Sequence, residues 1–150
     1  MSEFGNASES FEERQSKGVN IAEERFKEWC KESDIKVYRL GFDEKGDRLP
    51  QTFYNGLAVA LRKLPDFVAV GKTCRVVEVK GTANFKQVDY EGIDQRVAWF
   101  GSKSSPLWFV FCLGTSEPIW KTPSEVQQLY QAEQDQAWSD GVIYRTLKVR

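Results

Sequence analysis

The chain has 150 residues, with 41% hydrophobic and 13% aromatic content, which predicts one globular domain with a hydrophobic core. Its formal net charge is −1 and it has no histidine, which excludes Ser-His-Asp and Cys-His catalysis and most zinc sites. It has three cysteines without C-x-x-C spacing, and it lacks both a signal peptide and an apolar run of about 18 residues. We therefore expect a cytoplasmic protein with reduced thiols that does not contact a membrane.

The first part of the chain predicts two helices around one strand. Residues 1–17 are polar and predict a flexible N-terminal arm. Residues 20–33 carry apolar side chains at helical spacing, which predicts an amphipathic helix. Residues 35–42 alternate between apolar and polar types and predict the first strand, and residues 51–64 predict a second helix.

The middle of the chain predicts a β-hairpin, a helix and a buried strand. The hairpin strands fall at about 66–71 and 74–80, with a tight turn at Gly71-Lys72 between them. Asp89 is a candidate N-cap for the helix that follows. Residues 106–114 form a continuous apolar run, which is typical of a strand covered on both faces.

The last part of the chain predicts a helix and a final strand. Thr122 and Glu125 have capping-box spacing, so we expect a helix that begins there and continues to Trp138. A turn at Asp140-Gly141 then leads to a strand within 142–149.

The predicted order αβ(α)ββαβαβ indicates an α/β fold, with a mixed β-sheet flanked by helices. We expect a single domain over residues 18–150. Its core would span 18–114, and a C-terminal extension of one helix and one strand would cover 115–150.

Charged residues interrupt the most strand-like segment, "PDFVAVGKTCRVVEVKG". In a strand, alternate residues share a face, so Glu78 and Lys80 should lie opposite Val77 and Val79, and the hairpin should bring Asp66 near them. Two close carboxylates repel, and a divalent cation relieves that repulsion. Oxygen ligands without histidine or cysteine favour Mg²⁺ or Mn²⁺. A protonated lysine beside such an ion can orient water or offset developing charge.

Pro65-Asp66, followed after eleven residues by Glu78-x-Lys80, resembles the motif of the PD-(D/E)xK nuclease superfamily. That group includes type II restriction enzymes and Holliday-junction resolvases. The resemblance covers roughly residues 17–114. It implies a restriction-endonuclease-like fold and a Mg²⁺-dependent nuclease, with Mn²⁺ as a substitute. It also implies hydrolysis of phosphodiester bonds in nucleic acid, with DNA favoured and the substrate form left open.

The resemblance also assigns roles to individual residues. Asp66 and Glu78 would bind the metal with help from the Val79 carbonyl, and Lys80 would position the attacking water. The first-helix acid of the family corresponds to Glu23, and a glutamine found after the motif in some members corresponds to Gln95. Weaker candidates for contacting substrate are Lys72, Lys86, Arg96 and Tyr90.

Two other interpretations stay open at this stage. One is a non-catalytic nucleic-acid- or protein-binding module that keeps the nuclease fold. The other is a plain structural domain in which Glu78 and Lys80 are solvent-facing residues of an edge strand. Analogy with enzymes that make double cuts adds the expectation of a homodimer.

Overall fold

The computed structural model describes residues 11–40, 59–114 and 117–150. In chain order, the elements up to the motif hairpin are α1 (Phe11–Glu32), β1 (Lys36–Arg39), α2 (Val59–Arg62), β2 (Phe67–Val70) and β3 (Cys74–Lys80). Those that follow are β4 (Asn84–Lys86), α3 (Gln87–Glu91), α4 (Ile93–Phe100), β5 (Leu107–Phe111), β6 (Ile119–Lys121), α5 (Pro123–Gln131), β7 (Gln136–Ala137) and β8 (Ile143–Thr146). The protein is therefore a mixed α/β fold, as the sequence predicts.

The main sheet is mixed and five-stranded, in the order β1-β2-β3-β5-β6. The motif hairpin forms as predicted, since β2 and β3 pair antiparallel with Phe67 opposite Val77. The predicted apolar strand also forms, because β5 runs parallel to β3 with Glu78 opposite Phe109. A parallel neighbour needs a crossover connection, which here runs through β4, α3 and α4. The candidate motif thus lies on the central strand of the sheet.

Each face of the main sheet covers its own group of buried side chains. One face packs on α1, through Ala22, Phe26, Cys30, Phe67, Ala69, Val77, Val79, Val110 and Cys112. The opposite face packs on α4, α5 and the C-terminal segment, through Val76, Phe85, Ile93, Leu107, Phe109, Phe111, Val126, Tyr130, Leu147 and Val149. Burial on both faces explains the unbroken apolar run of β5.

The predicted last strand does not extend the main sheet. It is β8, which belongs to a second sheet of order β4-β8-β7. β8 pairs antiparallel with β4, and the Leu147 N–H donates to the Ala83 carbonyl at 2.8 Å. Leu147 and Val149 are consequently buried in the same core as Phe109. Residues from the predicted extension therefore complete the side of the sheet that Glu78 and Lys80 face.

Several element boundaries differ from the sequence prediction. α1 begins at Phe11 rather than residue 20, so part of the predicted arm is helical, because its Glu, Arg, Gln and Lys residues have high helix propensity. The predicted helix at 51–64 is seen as Val59–Arg62, with residues 51–58 outside the described part. Likewise, the first strand is seen as Lys36–Arg39, and residues 41–42 are outside it.

The helix α5 confirms one prediction at its start and corrects another at its end. Thr122 and Glu125 form a complete capping box, in which each side chain accepts from the other residue's backbone N–H. The helix ends at Gln131 and not at Trp138. The guanidinium of Arg145 donates to the terminal carbonyl of Tyr130 at 2.9 Å, and residues 136–137 pair with β8 instead of continuing the helix.

Within residues 11–40, 59–114 and 117–150, no helix has the length and apolar character needed to cross a membrane.

Candidate active site

The hairpin holds Asp66 against the end of β3. The Asp66 N–H donates to the Val77 carbonyl at 3.0 Å, and an Asp66 carboxylate oxygen accepts from the Val79 N–H at 2.7 Å. The Asp66 carboxyl is also within hydrogen-bonding reach of the Glu78 carboxylate. The structure therefore brings together the two carboxyl groups that the sequence proposes as a pair.

Glu78 and Lys80 lie on the face of β3 opposite Val77 and Val79, as the alternation predicts. Val77 and Val79 are buried against α1. Glu78 and Lys80 are partly buried on the other face, where the Lys80 ammonium lies 5.1 Å from the centre of the Phe85 ring. Because β3 is central rather than an edge strand, the interpretation of these charges as a solvated edge is wrong.

Glu78 forms an ion pair with Arg96 of α4. The Arg96 side chain is 7% exposed and that of Glu78 is 14% exposed, so the pair is shielded from solvent. Removing either partner would leave the other charge buried without a counter-charge, which is costly. Arg96 thus has a defined position in the site, whereas the sequence offers it only as a weak substrate contact.

Lys80 pairs with Asp89 of α3, with 3.2 Å between the ammonium nitrogen and a carboxylate oxygen. The prediction of Asp89 as an N-cap is therefore wrong: it lies inside α3, and its side chain binds Lys80. Burial by itself would lower the pKa of Lys80, but the nearby carboxylates of Asp89 and Glu78 outweigh it and raise this pKa above its ordinary value. The Lys80 side chain is accordingly a protonated ammonium at neutral pH.

The surroundings of Asp66 disfavour its charged form, whereas those of Lys80 favour its charged form. Burial raises its pKa well above the ordinary value, and the charges of Glu78 and Glu23 raise it further, against the lowering effect of the Val79 N–H. The pair of Asp66 and Glu78 therefore retains a proton at a pH where an isolated aspartate would have lost it. A bound cation would reverse this preference, because it favours the ionised carboxylates.

The candidate first-helix acid also reaches this region. Glu23 is 2% exposed on α1, and its carboxylate lies 2.8 Å from the Arg39 guanidinium of β1. Its charge is among those that raise the pKa of Asp66, although α1 packs on the face of the sheet opposite Glu78 and Lys80.

Of the remaining residues proposed from the sequence, some lie near the charged cluster and others do not. Gln95 is exposed on α4, next to the residue that does reach Glu78, and Lys86 lies near enough to Asp89 to lower its pKa. Tyr90 stacks on Tyr130 with 4.0 Å between ring centres, which covers one of its faces. Lys72 lies in the turn between β2 and β3, at the end of the hairpin away from Glu78 and Lys80. It cannot line a phosphate path beside that pair.

A small cavity of about 170 Å³ opens beside the charged cluster. Its lining includes four charged residues; the full set is Lys63, Leu64, Glu78, Val88, Asp89, Gly92 and Arg96. The cavity gives a small group, such as a phosphate or a water molecule, access to the Glu78 carboxylate.

The donor chemistry fits a hard divalent cation. Among the described residues, no group of three His, Cys, Asp or Glu side chains is arranged to hold a metal ion. The carboxyl groups of Asp66 and Glu78 are nevertheless within hydrogen-bonding reach of each other. Val79, whose backbone carbonyl is the third proposed ligand, lies between Glu78 and Lys80 in the sequence. Mg²⁺ completes such sets with water. Arg96 provides the positive charge that Glu78 otherwise lacks.

Sequence reasoning missed the parts played by Asp89 and Arg96. A signal for Arg96 was available, because it lies about one helical turn after the apolar Ile93 and so shares its face of the helix. An arginine at such a position needs a carboxylate partner when it is buried. Asp89 carried a competing signal, since aspartate near a helix start is usually a cap.

No protein-family model matches this chain, and neither a curated protein nor a solved structure matches it. Its function has to be inferred from the chemistry of the residues just described.

Proposed function

We propose that this protein is a divalent-cation-dependent nuclease with a restriction-endonuclease-like fold, which hydrolyses phosphodiester bonds and favours DNA. The observation that carries the proposal is that the hairpin brings the Asp66 carboxyl to the Val79 N–H, within reach of the Glu78 carboxylate, on the central strand that also carries the Lys80 ammonium. Two neighbouring carboxyl groups disfavour each other's ionisation, and a divalent cation relieves that repulsion.

Asp66, Glu78 and the Val79 carbonyl would hold the cation, with Mn²⁺ able to replace Mg²⁺. When bound, the cation supplies Lewis-acid stabilisation and lowers the pKa of a coordinated water. The raised pKa of Asp66 supports this assignment, because burial and like charge are the two conditions that a cation relieves. The hydrogen bond from the Val79 N–H fixes the direction of the Asp66 carboxylate for that purpose.

Lys80 acts as a positively charged hydrogen-bond donor. Its ammonium is held by Asp89 at 3.2 Å and remains protonated, so it does not serve as the base. It can orient the attacking water and stabilise negative charge on the phosphate oxygens. Asp89 is a positioning residue in this scheme, because it contacts Lys80 rather than the reacting atoms.

Arg96 has two states in this proposal. In the structure it neutralises Glu78 beside the small cavity. Once a cation neutralises Glu78 instead, the guanidinium is available to a phosphate oxygen in the cavity, for which its planar donor set is suited. The exchange keeps the Glu78 carboxylate paired with a positive charge in both states.

A second candidate is a non-catalytic binding module with the same fold. Its support is that Glu78 is already paired with Arg96. In addition, the described residues contain no group of three His, Cys, Asp or Glu side chains arranged to hold a metal ion. In such a module the cluster would be a structural network, and divalent cations would not bind near Asp66.

A cleavage assay separates the two candidates. Labelled single-stranded, duplex, flap and junction DNA would be incubated in Mg²⁺, Mn²⁺ and EDTA, with wild-type protein and Lys80→Ala. Lys148→Ala is the matched control, because the Lys148 side chain is 85% exposed and pairs with Glu133, which is not part of the cluster. Cutting that requires the cation and is lost only in Lys80→Ala supports the nuclease. No cutting on any substrate, with no Mn²⁺ binding by calorimetry, supports the module.

A further inference from the structure

A large open groove lies at the end of the main sheet away from Asp66 and Glu78. It has a volume of about 810 Å³, within the range of roughly 300–1,000 Å³ that is common for ligand sites. Residues 71–73, the turn between β2 and β3, form one wall, and residues 33–36, which follow α1, form another. The groove is therefore separate from the small cavity beside Glu78.

The floor of the groove is aromatic and apolar. Trp29 and Trp120 both line it, with 6.2 Å between their ring centres. Val70, which is 38% exposed, adds an aliphatic surface at the end of β2. Trp29 and Trp120 are partly buried against the core beneath, so each presents part of its ring to the groove.

The rim of the groove is basic. Lys36, Lys72 and Arg75 line it, against one acidic residue, Asp34. Neither Lys36 nor Lys72 forms an ion pair with any residue that the structure describes. The Arg75 guanidinium lies 4.6 Å from the ring centre of Trp108 and 5.2 Å from that of Trp120, which holds it in place beside the aromatic floor.

We propose that this groove binds a single-stranded segment of nucleic acid. Unpaired bases would stack on Trp29 and Trp120, while the phosphates would contact Lys36, Lys72 and Arg75. Sequence-tolerant binding of single strands combines these two features, a basic path and aromatic surfaces. A duplex keeps its base faces stacked inside the helix, so it would leave the apolar floor uncovered.

The groove gives the proposed nuclease a preference among nucleic-acid forms. The groove lies on the face of the sheet that packs on α1, where Arg75 shares a side of β3 with Val77, whereas Glu78 and Lys80 lie on the opposite face. Binding of an unpaired segment in the groove is therefore an event separate from cation binding at Asp66 and Glu78. The inference takes its ligand class from the proposed function, and its test measures binding without cleavage so that the two can fail separately.

The test is fluorescence anisotropy with a fluorescein-labelled oligothymidylate of about 12 nucleotides, in EDTA. We expect binding that weakens with salt, and a loss of at least about fivefold in affinity for Lys72→Glu. Lys148→Glu makes the same change of charge at an 85% exposed side chain outside the groove, and should bind like wild type. Because Lys72 lies in an exposed turn, its substitution leaves the core intact.

A second variant tests the aromatic floor. Trp29→Ala should weaken the oligonucleotide by at least about fivefold, whereas Trp99→Ala, which removes a 42% exposed tryptophan from α4, should not. Thermal unfolding of each variant checks that it folds. The proposal is overturned if Lys72→Glu binds like wild type, if a duplex of the same length binds as tightly, or if an oligoglutamate peptide competes equally well.

The combined results distinguish the two proposals. Cation-dependent cleavage lost in Lys80→Ala, with no effect of Lys72→Glu on oligonucleotide binding, would retain the nuclease and reject the groove. Weakened binding in Lys72→Glu, with no cleavage of any substrate, would retain the groove and reject the nuclease.

Discussion

The Val79 backbone N–H donates a hydrogen bond to the Asp66 carboxylate at 2.7 Å. This contact joins the residue before β2 to β3 at a point between Glu78 and Lys80. A donated hydrogen bond favours the ionised carboxylate, yet burial and the neighbouring Glu78 raise the pKa of Asp66 overall. The protein thus fixes the orientation of the Asp66 carboxyl in an environment that disfavours its ionised form. Such strongly shifted pKa values are common at functional sites.

Asp66→Asn is expected to stabilise the metal-free protein at neutral pH. A carboxyl group with a raised pKa contributes stability below its unfolded pKa of about 3.9 and loses that contribution as the pH rises through its folded pKa. The amide removes this loss and can still accept from Val79. We expect a gain of about 1 kcal/mol, or roughly 2–4 °C in Tm, measured by thermal unfolding in EDTA.

The same variant should lose its response to Mn²⁺, because one ligand of the proposed cation site is gone. The gain in EDTA should also vanish below pH 4, where the wild-type carboxyl is protonated. Asp94→Asn, an exposed acid on α4, serves as the control. A drop in Tm for Asp66→Asn in EDTA would show that the Asp66 carboxylate is a stabilising ion-pair partner instead.

Cation binding is expected to tighten as the pH rises. The proton held by Asp66 and Glu78 must leave before both carboxylates can bind a cation. Because the pKa of Asp66 is raised, that proton is released at a higher pH than from an ordinary aspartate. Calorimetry with Mn²⁺ in buffers of different ionisation enthalpy would count the released protons. We expect up to about one proton per cation below the pKa of Asp66, and an affinity that is independent of pH would contradict this.

Arg96→Gln is expected to destabilise the metal-free protein by about 3 kcal/mol, because it leaves the Glu78 carboxylate buried without its partner. Saturating Mn²⁺ should restore part of that loss, since the cation takes over the role of the guanidinium. Denaturant unfolding with Mn²⁺ and with EDTA measures the difference. Lys148→Gln, which breaks an exposed pair with Glu133, should change stability by less than about 0.5 kcal/mol.

An equal loss for Arg96→Gln with and without Mn²⁺ would mean that Arg96 and the cation do not share Glu78. The ion pair would then be a structural feature of the fold, which favours the non-catalytic module.

Asp89→Asn is expected to lower the cleavage rate about tenfold without changing Mn²⁺ affinity, because Asp89 contacts Lys80 and not the proposed ligands. Loss of this carboxylate also lowers the pKa of Lys80, so cleavage should decline at a lower pH than in wild type. The pH profile of the rate, compared with that of Asp94→Asn, tests both effects. An unshifted profile would show that Asp89 does not hold the ammonium.

Features that depend on neighbours in sequence were predictable. The two-residue period of a strand placed Glu78 and Lys80 on one face of β3, and the capping box of Thr122 fixed the start of α5. The hairpin prediction also brought Asp66 to Glu78, because a tight turn leaves little freedom in the pairing of the strands that it joins. The sequence by itself therefore determined the candidate carboxylate pair and the lysine beside it.

The tertiary structure alone decided which charges surround that pair. Arg96 reaches Glu78, and Asp89 reaches Lys80, only because the crossover to the parallel strand β5 packs α3 and α4 on this face of the sheet. The pairing of β7 with β8 likewise accompanies the early end of α5, and the pairing of β8 with β4 leads into the buried C-terminal residues. These outcomes depend on packing between distant segments, where burial and charge pairing outweigh local preferences for caps and helix continuation.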